Sequence, residues 1–318
     1  MANPPLISDL AQQAPPGPLL LAFSGGLDST VLLPLLVEAG LGPRLRVVHI
    51  NHQLQPDSGD WAEHCQQIVA GLELPCEVIA VQVEAGKGIE AGARQARYHA
   101  LFADAHRDGA TVITAHHRDD QAETLLLRLL RGAGVQGLAA MRGLDHRQEI
   151  AVWRPLLDQP RSVLERHAHE QGLQWQDDPS NQDQSLRRNY LRHSILPALR
   201  QRWRGADEIL ARTAQHMGDA RELLDERAQQ DADACGVSSQ RFPLPGLAAL
   251  GPPRQRNLLR WWLHRRGASA PSAAVLAELL ALQDAAQDSQ ARVEWGNWAV
   301  RLFQGALYLL PRHALAPW

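Results

Sequence analysis

The first two thirds of the chain alternate short apolar runs with longer stretches of helical spacing. The run Leu19-Leu20-Leu21-Ala22-Phe23 reads as a buried strand, and Asp28 to Ala39 as a helix closed by Gly40-Leu41-Gly42-Pro43. The β-branched run Arg46-Val47-Val48-His49-Ile50 predicts a second strand, ending in Asn51-His52. There follow a helix from Asp57 to Leu72, a strand from Cys76 to Val83, a loop from Glu84 to Gly88 and a helix from Ile89 to Ala105. Ala110 to Ala115 is the fourth strand and Asp119 to Arg131 the next helix. Gly132 to Gly143, rich in glycine and small residues, reads as a loop or a set of tight packings. Trp153-Arg154-Pro155-Leu156-Leu157 is a last short strand, before a helix from Arg161 to Gln171 and the polar loop Asp177-Asp178-Pro179-Ser180-Asn181. Strands alternating with helices predict an α/β fold with a mostly parallel, doubly wound sheet covered on both faces.

Beyond this region the rhythm changes. Asp207 to Gln230 has the spacing of a long helix, and after Cys235-Gly236 the composition shifts toward Leu, Ala and Trp. Pro252 to Arg266 and Ala273 to Gln283 are helical, while Arg292 to Trp295, Trp298 to Phe303 and Ala306 to Leu310 read as short strands. The expected organisation is a large α/β domain over 1–205, a helical linker over 206–235 and a small α+β C-terminal domain over 236–318. Trp261, Trp262, Trp295 and Trp298 fit a core better than a binding platform.

Chemistry enters at the first strand end, Ser24-Gly25-Gly26-Leu27-Asp28-Ser29. Two glycines permit positive φ and close approach, and free amides at a helix start bind anions. A phosphate or pyrophosphate is the expected occupant; an ordinary capped turn is the plainer alternative. The GxxxxGK[ST] loop is excluded, because the sole lysine, Lys87, lies far from this turn, and GxGxxG does not fit. In a parallel sheet, ligands bind beyond the carboxyl ends of the strands. Those ends carry His49, Asn51 and His52 after the second strand and His116-His117-Arg118-Asp119-Asp120 after the fourth. Asp120 and Glu123 share a face at a helix start, where they either hold Mg²⁺ with phosphate oxygens or merely complement the helix dipole. Of the adjacent His116 and His117, one would contact substrate while the other packs or caps. Arg94 and Arg97 reach the same pocket or form a solvated helix face.

Charge and composition narrow the picture. The net charge of -3 argues against uniform coating of nucleic acid, yet Arg187, Arg188, Arg192, Arg200, Arg202 and Arg204 cluster without any Asp or Glu among them. With Tyr190 and Trp203 interleaved, that segment suits RNA phosphates and bases, or a solvated amphipathic helix. Cys65, Cys76 and Cys235 form no CxxC, so no disulfide framework, zinc site or iron-sulfur site is indicated. No apolar run nears the roughly 20 residues needed to span a bilayer, and a cytoplasmic location follows by default.

Together these blocks resemble a known family. Ser24 to Ser29 is similar to the SGGxDS signature of the PP-loop ATP pyrophosphatases, whose fold is Rossmann-like. His49-Ile50-Asn51-His52, Glu90 with Ala93-Arg94 and Arg97-Tyr98, Thr114 to Thr124, Arg131-Gly132, Arg154 to Leu157, and Asp178 with Ser180-Asn181 and Arg188-Asn189 resemble the tRNA(Ile)-lysidine synthetases. The resemblance implies ATP and Mg²⁺ as cofactors, and free L-lysine and a CAU-anticodon tRNA(Ile) as partners. The implied reaction adenylates the C2 oxygen of the wobble cytidine; lysine then displaces AMP. Ser24, Gly25, Gly26, Leu27, Asp28 and Ser29, with His49, Asn51 and Arg94, would hold ATP, and Asp120 and Glu123 the metal. Asp28, Asp120, His116, His117 and Arg131 would form the catalytic set, and Arg97, Arg187, Arg188 and Arg192 would hold tRNA. Many members carry a further C-terminal domain, so this chain is expected to be a short member or a truncated one; a homodimer is also compatible with the family. The runner-up functions are the cytidine 2-thiolation enzymes, which rely on cysteines, and small-molecule amide ligases. A nucleotide-sensing or RNA-binding module would keep the turn without needing Asp120 and Glu123 opposite it.

Overall fold

The computed structural model describes residues 4–53, 57–82, 89–147, 149–285 and 291–314. They form two compact units, 1–218 and 219–318.

In the first unit, α1 (Pro4–Gln13) leads into β1 (Leu19–Ala22), α2 (Leu27–Glu38), β2 (Leu45–Asn51), α3 (Ser58–Ala70), β3 (Cys76–Ala80), α4 (Ile89–His106), β4 (Thr111–Ile113) and α5 (Arg118–Leu129). A short α6 (Val135–Leu138), the hairpin β5 (Leu144–Arg147) and β6 (Ile150–Trp153), and α7 (Arg161–Glu170) complete the sheet and its cover. The strand order is β3-β2-β1-β4-β6-β5, parallel throughout except for β5, which runs antiparallel to β6. The doubly wound α/β architecture is therefore the one the alternation predicts. Leu19, Leu20 and Leu21 are fully buried because β1 lies mid-sheet with helices on both faces. One face packs α2 and α7 around Leu32, Leu33, Trp153 and Leu164; the other packs α4 through Tyr98, Leu101 and Phe102.

Several expectations shift. The strand expected at 153–157 lies earlier, at Ile150–Trp153, and its partner β5 occupies a stretch whose polar residues conceal it. As an antiparallel edge strand, β5 needs no continuous apolar run; Leu144 is itself exposed. The strand expected to reach Val83 ends at Ala80, and the loop expected over 84–88 lies outside the described residues. The arginine-rich segment folds as α8 (Arg187–Tyr190), a π-helical turn at Leu191–Ile195 and α9 (Leu196–Arg202), followed by the long α10 (Ala206–Cys235).

The second unit contains β7 (Phe242–Pro243), α11 (Leu244–Ala248), α12 (Pro252–Arg265), α13 (Ala273–Ala281), β8 (Arg292–Trp295), β9 (Trp298–Phe303) and β10 (Ala306–Pro311). Its sheet is antiparallel in the order β7-β10-β9-β8. Trp262 is buried against Phe242, their rings 5.1 Å apart, and the partly buried Trp261, Trp295 and Trp298 pack around the same core. The short β7 and α11 escape a periodicity reading because neither is long enough to show a period.

Candidate active site

From β1 the chain runs toward β2 and β3 on one side, and later toward β4 and β6 on the other. The crevice at this switch point, beyond the strand ends, is where such sheets take ligands. The turn after β1 and the segment after β4 both face it.

Gly25 takes φ +74°, which glycine adopts without strain. Gly26 is the N-cap of α2 and offers no side chain, so the first amides of the helix are not capped from within. Ser29 ties the turn to the helix: its hydroxyl donates to Gly26 O at 3.1 Å, accepts from Ser24 N at 3.2 Å and lies 3.0 Å from Ser24 Oγ. The turn is thus held by its own serines, with helical amides left toward the crevice. Asp28, in the first turn of α2, has a partly exposed side chain whose Oδ1 is buried without a hydrogen-bond partner among the described residues.

The two histidines after β4 divide the roles expected of them. His117 is the N-cap of α5, accepting from Asp120 N, while Asp120 Oδ2 accepts from His117 N at 3.1 Å. Burial opposes a charge on His117, but Asp120, Asp28 and Asp119 outweigh it and raise its pKa. His117 Nε2 lies 3.6 Å from Asp28 Oδ2 and 3.4 Å from Asp120 Oδ2, so it joins the turn after β1 to the helix after β4. His116 is 2.8 Å from Thr114 Oγ1 through Nδ1. Burial drives its pKa well below the ordinary value; Asp120 opposes this, and Arg154, Arg188 and Arg94 reinforce it.

The acidic pair differs from expectation. Arg188 donates to Asp120 Oδ1 at 2.7 Å and to Glu123 Oε2 at 2.6 Å; Arg192 donates to Glu123 Oε1 at 2.7 Å. With His117 N on Asp120 Oδ2, all four carboxylate oxygens have donors. Glu123 is 1 % exposed, and both carboxylates are engaged by arginines rather than standing apart from other charges. His117, Arg188 and His116 hold the Asp120 pKa low against the effect of burial. Arg188 and Arg192, expected on tRNA, are turned inward because charge complementarity in a low-dielectric setting outweighs solvation.

The other expected residues differ in their surroundings. His49 is buried with Nδ1 3.0 Å from Phe23 O, and burial lowers its pKa. Asn51 is occupied structurally, donating to Ser58 O and accepting from Gln53 N. Arg94 and Arg97 lie over the Tyr98 ring at 5.0 and 5.6 Å, and burial lowers the Arg97 pKa. Arg187 is exposed, as is Arg131, which follows the far end of α5 from Asp120 and is not brought to the cluster. Arg154 was given no role by the sequence, yet it is 2 % exposed, donates to Arg142 O at 2.8 Å and bears on His116. Its position just past a buried strand, at the switch point, is the signal that finds it.

Comparison with known proteins gives this geometry a family. Residues 6–199 match the PP-loop domain and residues 242–308 the TilS substrate binding domain. A tRNA(Ile)-lysidine synthase of Pseudomonas syringae pv. tomato is 46 % identical over 301 residues, covering 91 % of this chain and 67 % of the relative. The chain belongs to the tRNA(Ile)-lysidine synthase family. A second family member, from Alkalilimnicola ehrlichii, is 42 % identical over 98 % of this chain and 71 % of its own length. The Pseudomonas putida member is 48 % identical over 77 % of this chain and 60 % of its own, so the chain spans about two thirds of these relatives. The U34-tRNA thiolase NcsA from Methanococcus maripaludis is similar in fold, with a TM-score of 0.56 over 67 % of this chain and 78 % of that one, at 14 % identity. That likeness concerns the fold, whereas the lysidine synthase family is shared at the level of sequence.

Proposed function

We propose that this chain joins L-lysine to C2 of the wobble cytidine of a CAU-anticodon tRNA(Ile), with ATP converted to AMP and pyrophosphate. The observation that carries the reading is the pairing of an uncapped α2 N-terminus with the His116 to Glu123 segment across one switch point, in a chain of this family.

The chemistry follows from the residues. A carbonyl oxygen leaves poorly, and its transfer to the α phosphorus of ATP, with loss of pyrophosphate, makes it a leaving group as AMP. The amides around Ser24 to Ser29 and the positive end of α2 would hold the phosphates. Mg²⁺ fits Asp28, whose buried Oδ1 is unpartnered, better than the arginine-bound Asp120 and Glu123. When bound there it would neutralise phosphate charge. In the second half, lysine attacks C2 through an amine whose pKa in water is about 10.4, so a proton must be removed. Asp120, ionised and bonded on both oxygens, is a poor base; His117 is committed to capping. His116, with Nδ1 engaged by Thr114 Oγ1, would take the proton only once the amine has bonded to C2 and become acidic. Exposed Arg187 and Arg131 are the better-placed cations for tRNA phosphate. Such a reaction belongs in the cytoplasm, where tRNA is used.

The test is incubation of the protein with ATP, labelled lysine and a panel of tRNAs. Label is expected in the CAU-anticodon tRNA(Ile) alone, with AMP and pyrophosphate released in equal amounts. AMP formed on a small acid, with no label in tRNA, would favour an amide ligase.

A further inference from the structure

Trp61 lies outside every residue block that points to the reaction, yet it touches the nucleotide turn directly. It sits in the first turn of α3, and its indole Nε1 donates to Ser24 O at 2.7 Å. On α3 it is four residues before Cys65, so the two side chains share one helix face. That face lies under Gly25: a Cβ there would stand 2.8 Å from Trp61 Nε1 and 2.6 Å from Cys65 Sγ. The next carbonyl, Gly25 O, accepts from Gln176 N at 3.0 Å. Two consecutive carbonyls of the turn are therefore held from outside it, one by α3 and one by the segment after α7.

We propose that Trp61 is a positioning residue for ATP: by fixing Ser24 O it fixes the Gly25 amide that faces the phosphates. The reason is peptide planarity. In a trans peptide the C=O and the following N–H point in opposite directions, so a donor that holds Ser24 O on the α3 side turns the Gly25 N–H to the other side. Without that donor, the turn, which contains two glycines, is free to rotate this peptide and present a carbonyl dipole to an anion. Cys65 completes the floor without adding charge, because burial pushes its thiol up to about 12 and no thiolate forms beneath the phosphates. Gly25 is then required for two reasons, its positive φ and the space that Trp61 and Cys65 already fill.

The inference rests on the reading that Ser24 to Ser29 hold ATP, and the experiment separates the two. ATP dissociation constants are measured by equilibrium dialysis for the wild-type chain and for Trp61→Phe, alongside KM for ATP and lysine, kcat and Tm. Trp61→Phe is expected to weaken ATP binding and raise KM for ATP about fivefold, the weight of one net hydrogen bond. KM for lysine should stay unchanged and kcat at saturating ATP should stay within about twofold. Placing 3-benzothienylalanine at position 61, which keeps the ring shape and removes only the N–H, should give the same split even if Phe packs poorly. Unchanged ATP binding in both variants overturns the proposal. A fall in Tm and kcat with a parallel rise in both KM values in the benzothienyl variant also overturns it, by making Trp61 merely structural. Wild-type protein that binds no ATP would instead remove the reading of the turn.

Discussion

Asp28 and His117 show how much depends on single oxygens and nitrogens. Asp28 lies in the first turn of α2, with one oxygen near His117 Nε2 and the other buried and unpartnered. A buried oxygen without a donor is unfavourable in the unliganded chain, and bound Mg²⁺ would supply its partner. Asp28→Ala should therefore abolish lysine incorporation while lowering Tm by only about 2–4 °C, since the change removes one polar contact, to His117, and no backbone hydrogen bond. Retained incorporation, measured with labelled lysine, would show that this carboxylate is not needed. The division of labour between the histidines is also a residue-scale fact: adjacent positions at a helix start point in different directions, so only His117 can cap α5.

At the scale of elements, α5 and the α8 to α9 segment are joined by charge. Arg188 and Arg192 bracket Glu123, which is almost fully buried at the first turns of α5. Removing one partner of such a cluster leaves a buried carboxylate short of donors. Arg188→Ala should destabilise the first unit by about 2 kcal/mol, less than the 3–5 kcal/mol of a fully broken buried pair because Arg192 remains. Denaturant unfolding measures this, and adding Glu123→Gln should recover part of the loss. A neutral outcome for Arg188→Ala would mean that the arginines are held by α8 packing alone. The π-helical turn at Leu191–Ile195 itself carries Arg192, four residues after Arg188, and both side chains reach Glu123.

At the scale of the whole molecule, the chain has separate hydrophobic cores, one around β1 and α2 and another around Trp262 and Phe242. Trp262 is 1 % exposed, packs edge-on to Phe242 and donates to Ser238 O at 3.0 Å. Trp262→Ala should cost the second unit about 3–5 kcal/mol. ATP binding is expected to survive, while lysine incorporation into tRNA falls. Dialysis with ATP and the labelled-lysine assay on the same variant measure both effects. Loss of ATP binding would place part of the nucleotide site's support in the second unit. Among the described residues no helix is long and apolar enough to cross a membrane.

The sequence by itself determined the alternation of strands and helices, the glycine turn after β1 and the polar clusters at the strand ends. These are local properties, carried by period, turn chemistry and residue type within a few positions. It also carried the resemblance to a family, because Ser24 to Ser29 and Thr114 to Thr124 are contiguous blocks. It could not show that Arg188 would turn to Glu123, 65 residues away, or that Trp61 would reach Ser24 O from another helix. Nor could it place β5, whose strand character comes from its hydrogen-bonded neighbour β6 rather than from its own polar residues. Such pairings depend on distances set only when the sheet closes. The opening turn is thus legible as a candidate anion site from six residues, whereas what holds its carbonyls and what occupies its acidic neighbours were decided by packing.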